Sequence, residues 1–192
     1  MKDCTESVCQ LEIPGIMDIL ASHPDSDLVF GHSEGRKLLV KALASARERV
    51  IIVCPWLSLK SISDQLLYQF STALRRGISI DIGWGYYYDV GTIIKFSESG
   101  KYFIDAVGDE WRKYNALPRL AQLRSGYPHS LKLKLMGTQG RYITCDRRFA
   151  YVNHCLEGGT WDRDRCNIQK LINYFDNQPP LSKSGNWQRS SA

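Results

Sequence analysis

Between residues 131 and 154 the chain collects side chains that handle anions. Lys132, Lys134 and Arg141 are cations, Asp146 is a carboxylate, and Asn153 and His154 stand at the end of an apolar run. A guanidinium grips a phosphate through two parallel N–H bonds, and an ammonium neutralises it as a point charge. A neutral imidazole is nucleophilic near neutral pH. These types together suit a phosphate-bearing anion, with His154 the histidine nearest to them at a strand end. His129 precedes the lysine run and reads as a loop residue, and His23 and His32 have no partner at a meaningful spacing. Lys132 and Lys134 fall on one face of a strand. They either flank a phosphate groove or face solvent on an edge strand, where lysine discourages edge-to-edge association.

The surrounding charge fits such a ligand. The chain carries a net charge of +5, and from residue 101 to 141 eight basic residues face only three acids. A local excess of this kind suits a nucleic-acid backbone or a phospholipid headgroup surface, although a solvated basic face has the same composition. Trp56, Trp84 and the tyrosines at 86–88 follow strand-like runs. Ligands of parallel sheets bind beyond the carboxyl ends of the strands, so these rings either stack on bases, hold a lid or pack.

The elements that must position these groups follow from periodicity. At 192 residues and 43% hydrophobic, one compact domain is expected. Leu28, Val29 and Phe30 read as a short strand, and Ser33 can cap a helix with Leu38, Leu39, Ala42, Leu43 and Ala46 on one face. The β-branched run at 50–54 is a buried strand ended by Pro55. Ser61 or Ser63 can cap a second helix, closed by Arg75, Arg76 and Gly77. Residues 78–84 form the next strand. This spacing implies crossover units, an α/β class and a mixed, mostly parallel sheet with helices on both faces.

Residues 85–108 read as a functional loop or an insertion, and 110–123 as a helix interrupted at Pro118. Strands are expected at 131–135, 141–145 and 149–152, then a closing helix at 167–175. Residues 1–27 form an N-terminal extension with a short helix at 13–20, residues 28–178 the domain, and 179–192 a disordered tail. The six cysteines include no Cys-x2-Cys pair, so neither a zinc site nor a disulfide framework is expected. The apolar runs are too short to cross a bilayer and the N-terminus lacks a signal core, so the protein is expected to be soluble and cytoplasmic.

Three stretches resemble the phospholipase D-like superfamily. Residues 46–57 (Ala-Arg-Glu-Arg-Val-Ile-Ile-Val-Cys-Pro-Trp-Leu) are similar to its first helix-to-strand transition, and residues 74–82 to its second. Residues 137–152 resemble its signature, His-x-Lys-x4-Asp, with the spacing kept as Gln139-x-Arg141-x4-Asp146. The resemblance implies a metal-independent phosphodiesterase without cofactors. In that family the histidine attacks phosphorus, the lysine neutralises phosphate oxygens and the aspartate supports the structure or orients a histidine. It also implies that two motifs make one site, so a single-motif chain acts as a homodimer or beside another such domain. Here an amide stands at the nucleophile position and cannot accept a phosphoryl group. Arg141 keeps the charge at the lysine position, and Asp146 is retained. The Gly-Ser-x-Asn pattern that often follows is replaced by Asn153, His154, Cys155 and Leu156. The expected site is therefore Gln139, Arg141, Asp146 and His154, with Arg141, Lys132, Lys134 and Asn153 on phosphate. Its ligand is a phosphodiester, DNA or RNA before lipid, with turnover impaired. An active nuclease using His154 and a purely structural domain are the alternatives.

Overall fold

The computed structural model of the chain describes residues 27–29, 32–154 and 158–183. Strand β1 (Asp27–Val29) leads into helix α1 (His32–Ser45) and then β2 (Arg49–Cys54). The inner residues of β2 are buried on both sides of the sheet. Val50 and Ile52 join the core under α1, and Ile51 and Val53 join the core on the opposite face. Helix α2 (Asp64–Arg75) begins where the Ser63 hydroxyl accepts from the Leu66 N–H at 3.4 Å, and buries Leu66, Phe70, Ala73 and Leu74. It stops at Gly77, whose φ of +84° is open to glycine at little cost. Strand β3 (Ser79–Tyr86) follows.

A small hairpin, β4 (Ile94–Phe96) with β5 (Tyr102–Ile104), fills part of the expected insertion. Residues 110–113 belong to a 3-10 segment, Gly108–Lys113, and the helix α3 (Leu117–Gly126) starts only at Leu117, with Pro118 in its first turn. Proline lacks the N–H that a helix interior needs but fits a helix's first turn, so the expected single helix is two pieces. Strands β6 (Leu131–Thr138), β7 (Arg141–Cys145), β8 (Phe149–His154) and β9 (Gly158–Asp162) precede α4 (Arg165–Asn177). Asp164 caps α4 by accepting from the Asn167 N–H at 2.9 Å.

The seven strands lie in the order β1-β9-β8-β7-β2-β3-β6. The α/β class, the mixed sheet and the helices on both faces match the sequence reading. Helices α1 and α2 cover one face with Leu43, Leu66 and Phe70, and α4 covers the other with Ile168, Leu171 and Phe175. The balance of pairing differs from that reading. Only β2–β3 and β3–β6 are parallel, and β2–β7, β7–β8, β8–β9 and β9–β1 are antiparallel. The crossover units fix direction only through β6; after it the connections are short turns, which reverse the chain.

Within the segment read as a tail, the Leu181 N–H donates to the Leu135 carbonyl at 2.8 Å along β6. The proposed helix at 13–20, and the tail from 184 on, lie outside the described residues. Among the described residues no helix is long and apolar enough to cross a membrane.

Candidate anion-binding site

The topology gathers one set of residues at a single end of the sheet. Strands β2, β3 and β6 run parallel and finish together, with Cys54 opposite Trp84 and Tyr86 opposite Thr138. Strand β7 runs the other way, so it begins where they finish, with Tyr142 opposite Val53. Gln139 and Gly140 form the turn between β6 and β7. Gly137, with φ +63°, lets β6 bend into that turn, and the Thr138 hydroxyl accepts from the Gly140 N–H at 3.0 Å. Gln139 and Arg141 are each half-buried there. On β8, Asn153 is the register partner of Arg141, and His154 pairs with Gly158 of β9. The backbone thus brings Gln139, Arg141, Asn153 and His154 to the same end.

Arg141 is held by an aromatic ring. Its guanidinium carbon lies 5.1 Å from the Trp56 ring centroid, and Trp56 meets Tyr86 at 5.2 Å. Such a contact is worth about 0.5–1 kcal/mol near a surface and orients a cation without neutralising it. Among the described residues no carboxylate lies within ion-pair reach of Arg141, and the buried Trp56 indole N–H has no hydrogen-bond partner. A full positive charge and an unused donor are therefore side by side. Beneath them, burial pushes the Cys54 thiol up to about 12, with the Arg141 charge pulling the other way. The thiol is protonated at neutral pH and supplies no nucleophile.

Asp146 is elsewhere. It follows the last residue of β7, so Arg141 and Asp146 stand at opposite ends of a strand, roughly 16 Å apart along the chain. Its carboxylate accepts from three backbone N–H groups: Arg47 at 3.1 Å, Glu48 at 3.0 Å and Arg49 at 2.9 Å. Its φ of +53° is a left-handed conformation that aspartate tolerates better than most residues. These bonds shape the loop that feeds β2.

The two lysines also lie apart from Arg141. Lys132 pairs in register with Asp81, and Lys134 with Gly83, on the sheet face that α4 covers. Lys134 donates to the Phe175 carbonyl and sits 4.5 Å from that ring's centroid. Burial lowers its pKa. Both line a cleft with Arg49, Asp81 and Asp176. There Arg49 donates to Asp81 at 2.6 Å and makes a two-bond fork on Asp176 at 2.6 and 3.0 Å. His129 is exposed in the loop before β6, at the far end of the sheet.

Two residues that the sequence reading missed matter to the Arg141 end. The buried Tyr114 hydroxyl accepts from the Tyr86 N–H at 3.1 Å and donates to buried Asp89 at 2.8 Å. Tyr114 falls in the stretch read as a helix and Asp89 in the stretch read as a loop or insertion, and neither stretch singles out a site residue.

The assembled sheet, with its Arg141 end built from β2, β3, β6 and β7, can be set against known architectures. No family model and no curated protein sequence matches the chain. Solved structures do. The chain is similar to NucT from Helicobacter pylori, with 14% identity, a TM-score of 0.52, and 80% of this chain and 94% of that one covered. It is similar to Nuc from Salmonella typhimurium, a phospholipase D family member, with 10% identity, a TM-score of 0.50, and 82% and 97% covered. The fold is phospholipase D-like. The same fold relates it to TrmBL2, an archaeal chromatin protein with a novel mode of DNA binding, with 14% identity and a TM-score of 0.51. That match covers 84% of this chain, which spans about half (53%) of TrmBL2.

Proposed function

We propose that this phospholipase D-like domain binds phosphodiesters, nucleic acid foremost, at the Gln139–Arg141 end and does not turn them over. The observation that carries the reading is the pairing of an amide at the nucleophile position with an arginine that no described carboxylate neutralises. Losing a nucleophile removes several kcal/mol of transition-state stabilisation, each 1.36 kcal/mol being about tenfold in rate. Losing only the lysine type does not remove phosphate affinity, because a guanidinium binds phosphate at least as specifically. Asp146 serves the scaffold in this reading, and Lys132 and Lys134 serve the α4 interface. The DNA binding of TrmBL2 on the same fold favours nucleic acid over lipid. A single motif per chain implies a homodimer or pairing with a second domain of this fold, in the cytoplasm.

The test uses a fluorescent oligonucleotide and a generic phosphodiester, without added metal. Salt-dependent binding that falls in Arg141→Ala, with no cleavage, is the expected result. The doubly restored variant, Gln139→His with Arg141→Lys, is expected to gain hydrolysis. A second reading, an active phosphodiesterase using His154, draws on the register that sets His154 next to Arg141's partner Asn153. Cleavage by the wild-type chain that vanishes in His154→Ala would establish it. No binding to any phosphate ligand leaves a structural domain.

A further inference from the structure

From Arg141 a continuous row of rings runs outward to solvent. Trp56 lies under the guanidinium, Tyr86 against Trp56 at 5.2 Å, Tyr88 against Tyr86 at 5.4 Å, and Tyr87 against Tyr88 at 5.2 Å. The outer two rings are 40% and 46% exposed. Their ring contacts leave open aromatic surface on both, contiguous with the row and available to a flat ligand.

The carriers of this row are rigid, and both are tied to one segment. The Tyr86 N–H is held by the Tyr114 hydroxyl, and the 3-10 turn Tyr87–Asp89 is anchored by buried Asp89, which also takes a Lys113 contact at 3.4 Å. The loop after Trp56 is tied by the Asn115 side chain, which accepts from the Leu59 N–H at 2.7 Å, and by the Ala116 N–H, which donates to the Leu57 carbonyl at 2.9 Å. Desolvation of Tyr114 raises its pKa, so its hydroxyl keeps its proton and donates to Asp89. A preordered aromatic surface loses little side-chain entropy when a flat ligand lands on it.

We infer that this ledge, Tyr87 and Tyr88 leading inward to Trp56, stacks the unpaired bases of a single-stranded nucleic acid whose backbone phosphate is held by Arg141. The inference rests on the phosphate-binding reading of Arg141 and adds the strand state of the ligand. A duplex keeps its base faces covered, so it cannot use the ledge. Every base has a π-face, so the stacking is tolerant of sequence.

The experiment compares three probes by fluorescence anisotropy: a short oligothymidylate, an abasic strand of the same length and charge, and a duplex. Oligothymidylate is expected to bind roughly tenfold more tightly than the abasic strand. Tyr87→Ala with Tyr88→Ala removes that advantage and leaves abasic affinity unchanged; both residues are exposed, so the fold is retained. Tyr114→Phe, a positioning change, is expected to shrink the ratio of oligothymidylate to abasic affinity while unfolding stays cooperative. Equal binding of the two strands by the wild type overturns the ledge and leaves Arg141 standing, provided Arg141→Ala weakens both equally. Failure of both strands to bind, or indifference to Arg141→Ala, overturns the phosphate reading and the ledge with it. Loss of binding to anionic phospholipid vesicles in the tyrosine variant, with oligonucleotide affinity unchanged, also overturns it in favour of a lipid surface.

Discussion

Arg141 and Arg49 are both half-buried arginines beside an aromatic ring, and they do opposite work. Arg141 lies over Trp56 with no described carboxylate in reach, while Arg49 lies 5.7 Å from the Phe175 ring centroid and is bonded to Asp81 and Asp176. A guanidinium whose donors are already committed to carboxylates inside the fold has little left for a ligand. One held only by a ring keeps its donors for something outside. Pairing, not the density of positive charge along the sequence, separates the two regions.

The comparison breaks first on stability. Arg49→Ala leaves Asp81 buried without its partner, and one Asp81 oxygen has no hydrogen bond among the described residues even in the intact chain. The expected cost is about 3–5 kcal/mol, read from denaturant midpoints. Arg141→Ala should cost no more than about 1 kcal/mol in the same assay, the worth of its contact with Trp56. Comparable losses for both would mean that Arg141 is structural as well.

Asp146→Ala is expected to cost about 2 kcal/mol, since three backbone donors lose a charged acceptor. Asparagine, which accepts the left-handed backbone, should recover part of it. Oligonucleotide affinity should not move in either variant; a change would return Asp146 to the binding end.

For Arg141→Ala the expected loss is about tenfold in oligonucleotide affinity, with the log–log salt slope flatter by about 0.7 for a single strand. An unchanged slope would mean that Arg141 touches no phosphate.

Acid sensitivity belongs to the paired region. The Arg49 hydrogen bonds hold the Asp176 carboxyl below its usual range. A depressed carboxyl stabilises the fold above its unfolded pKa and loses that contribution as pH falls through the folded value. Thermal melts of wild type and Asp176→Asn should therefore differ at neutral pH and converge in strong acid. The half-exposed carboxylate keeps this effect small. Smallest of all, Cys54 should alkylate far more slowly at neutral pH than exposed Cys166, followed by mass spectrometry.

Much of the frame was legible in the sequence because its signals are local. The β-branched stretch of β2, the helical period of α2 and the Leu-Lys alternation of β6 each declare their element within a few residues. Strand β9, Gly158–Asp162, escaped because Gly-Gly-Thr-Trp-Asp has little alternation and owes its place to pairing with β8 and β1. The three-residue strands of the hairpin are too short to carry a period. Adjacency in the chain was enough to place Gln139 and Arg141 together between β6 and β7. Linear spacing could not show where a strand intervenes: five residues of β7 carry Asp146 to the strand's other end, and alternation on β6 could not say that Lys134 would end against Phe175.

The bonds from Asp146 to the loop ahead of β2 also set a timetable. The donors at Arg47, Glu48 and Arg49 wait for an acceptor 97 to 99 residues downstream. Strand β2 meets β3 soon after both are made, but its other flank has no neighbour until β7 emerges from the ribosome. From the completion of β3 at Tyr86 to the start of β7 at Arg141, the central strand is a one-sided sheet with an unfilled edge. Such late, long-range closure slows folding, and it makes the interval before β7 the period when the nascent chain is most exposed to wrong partners.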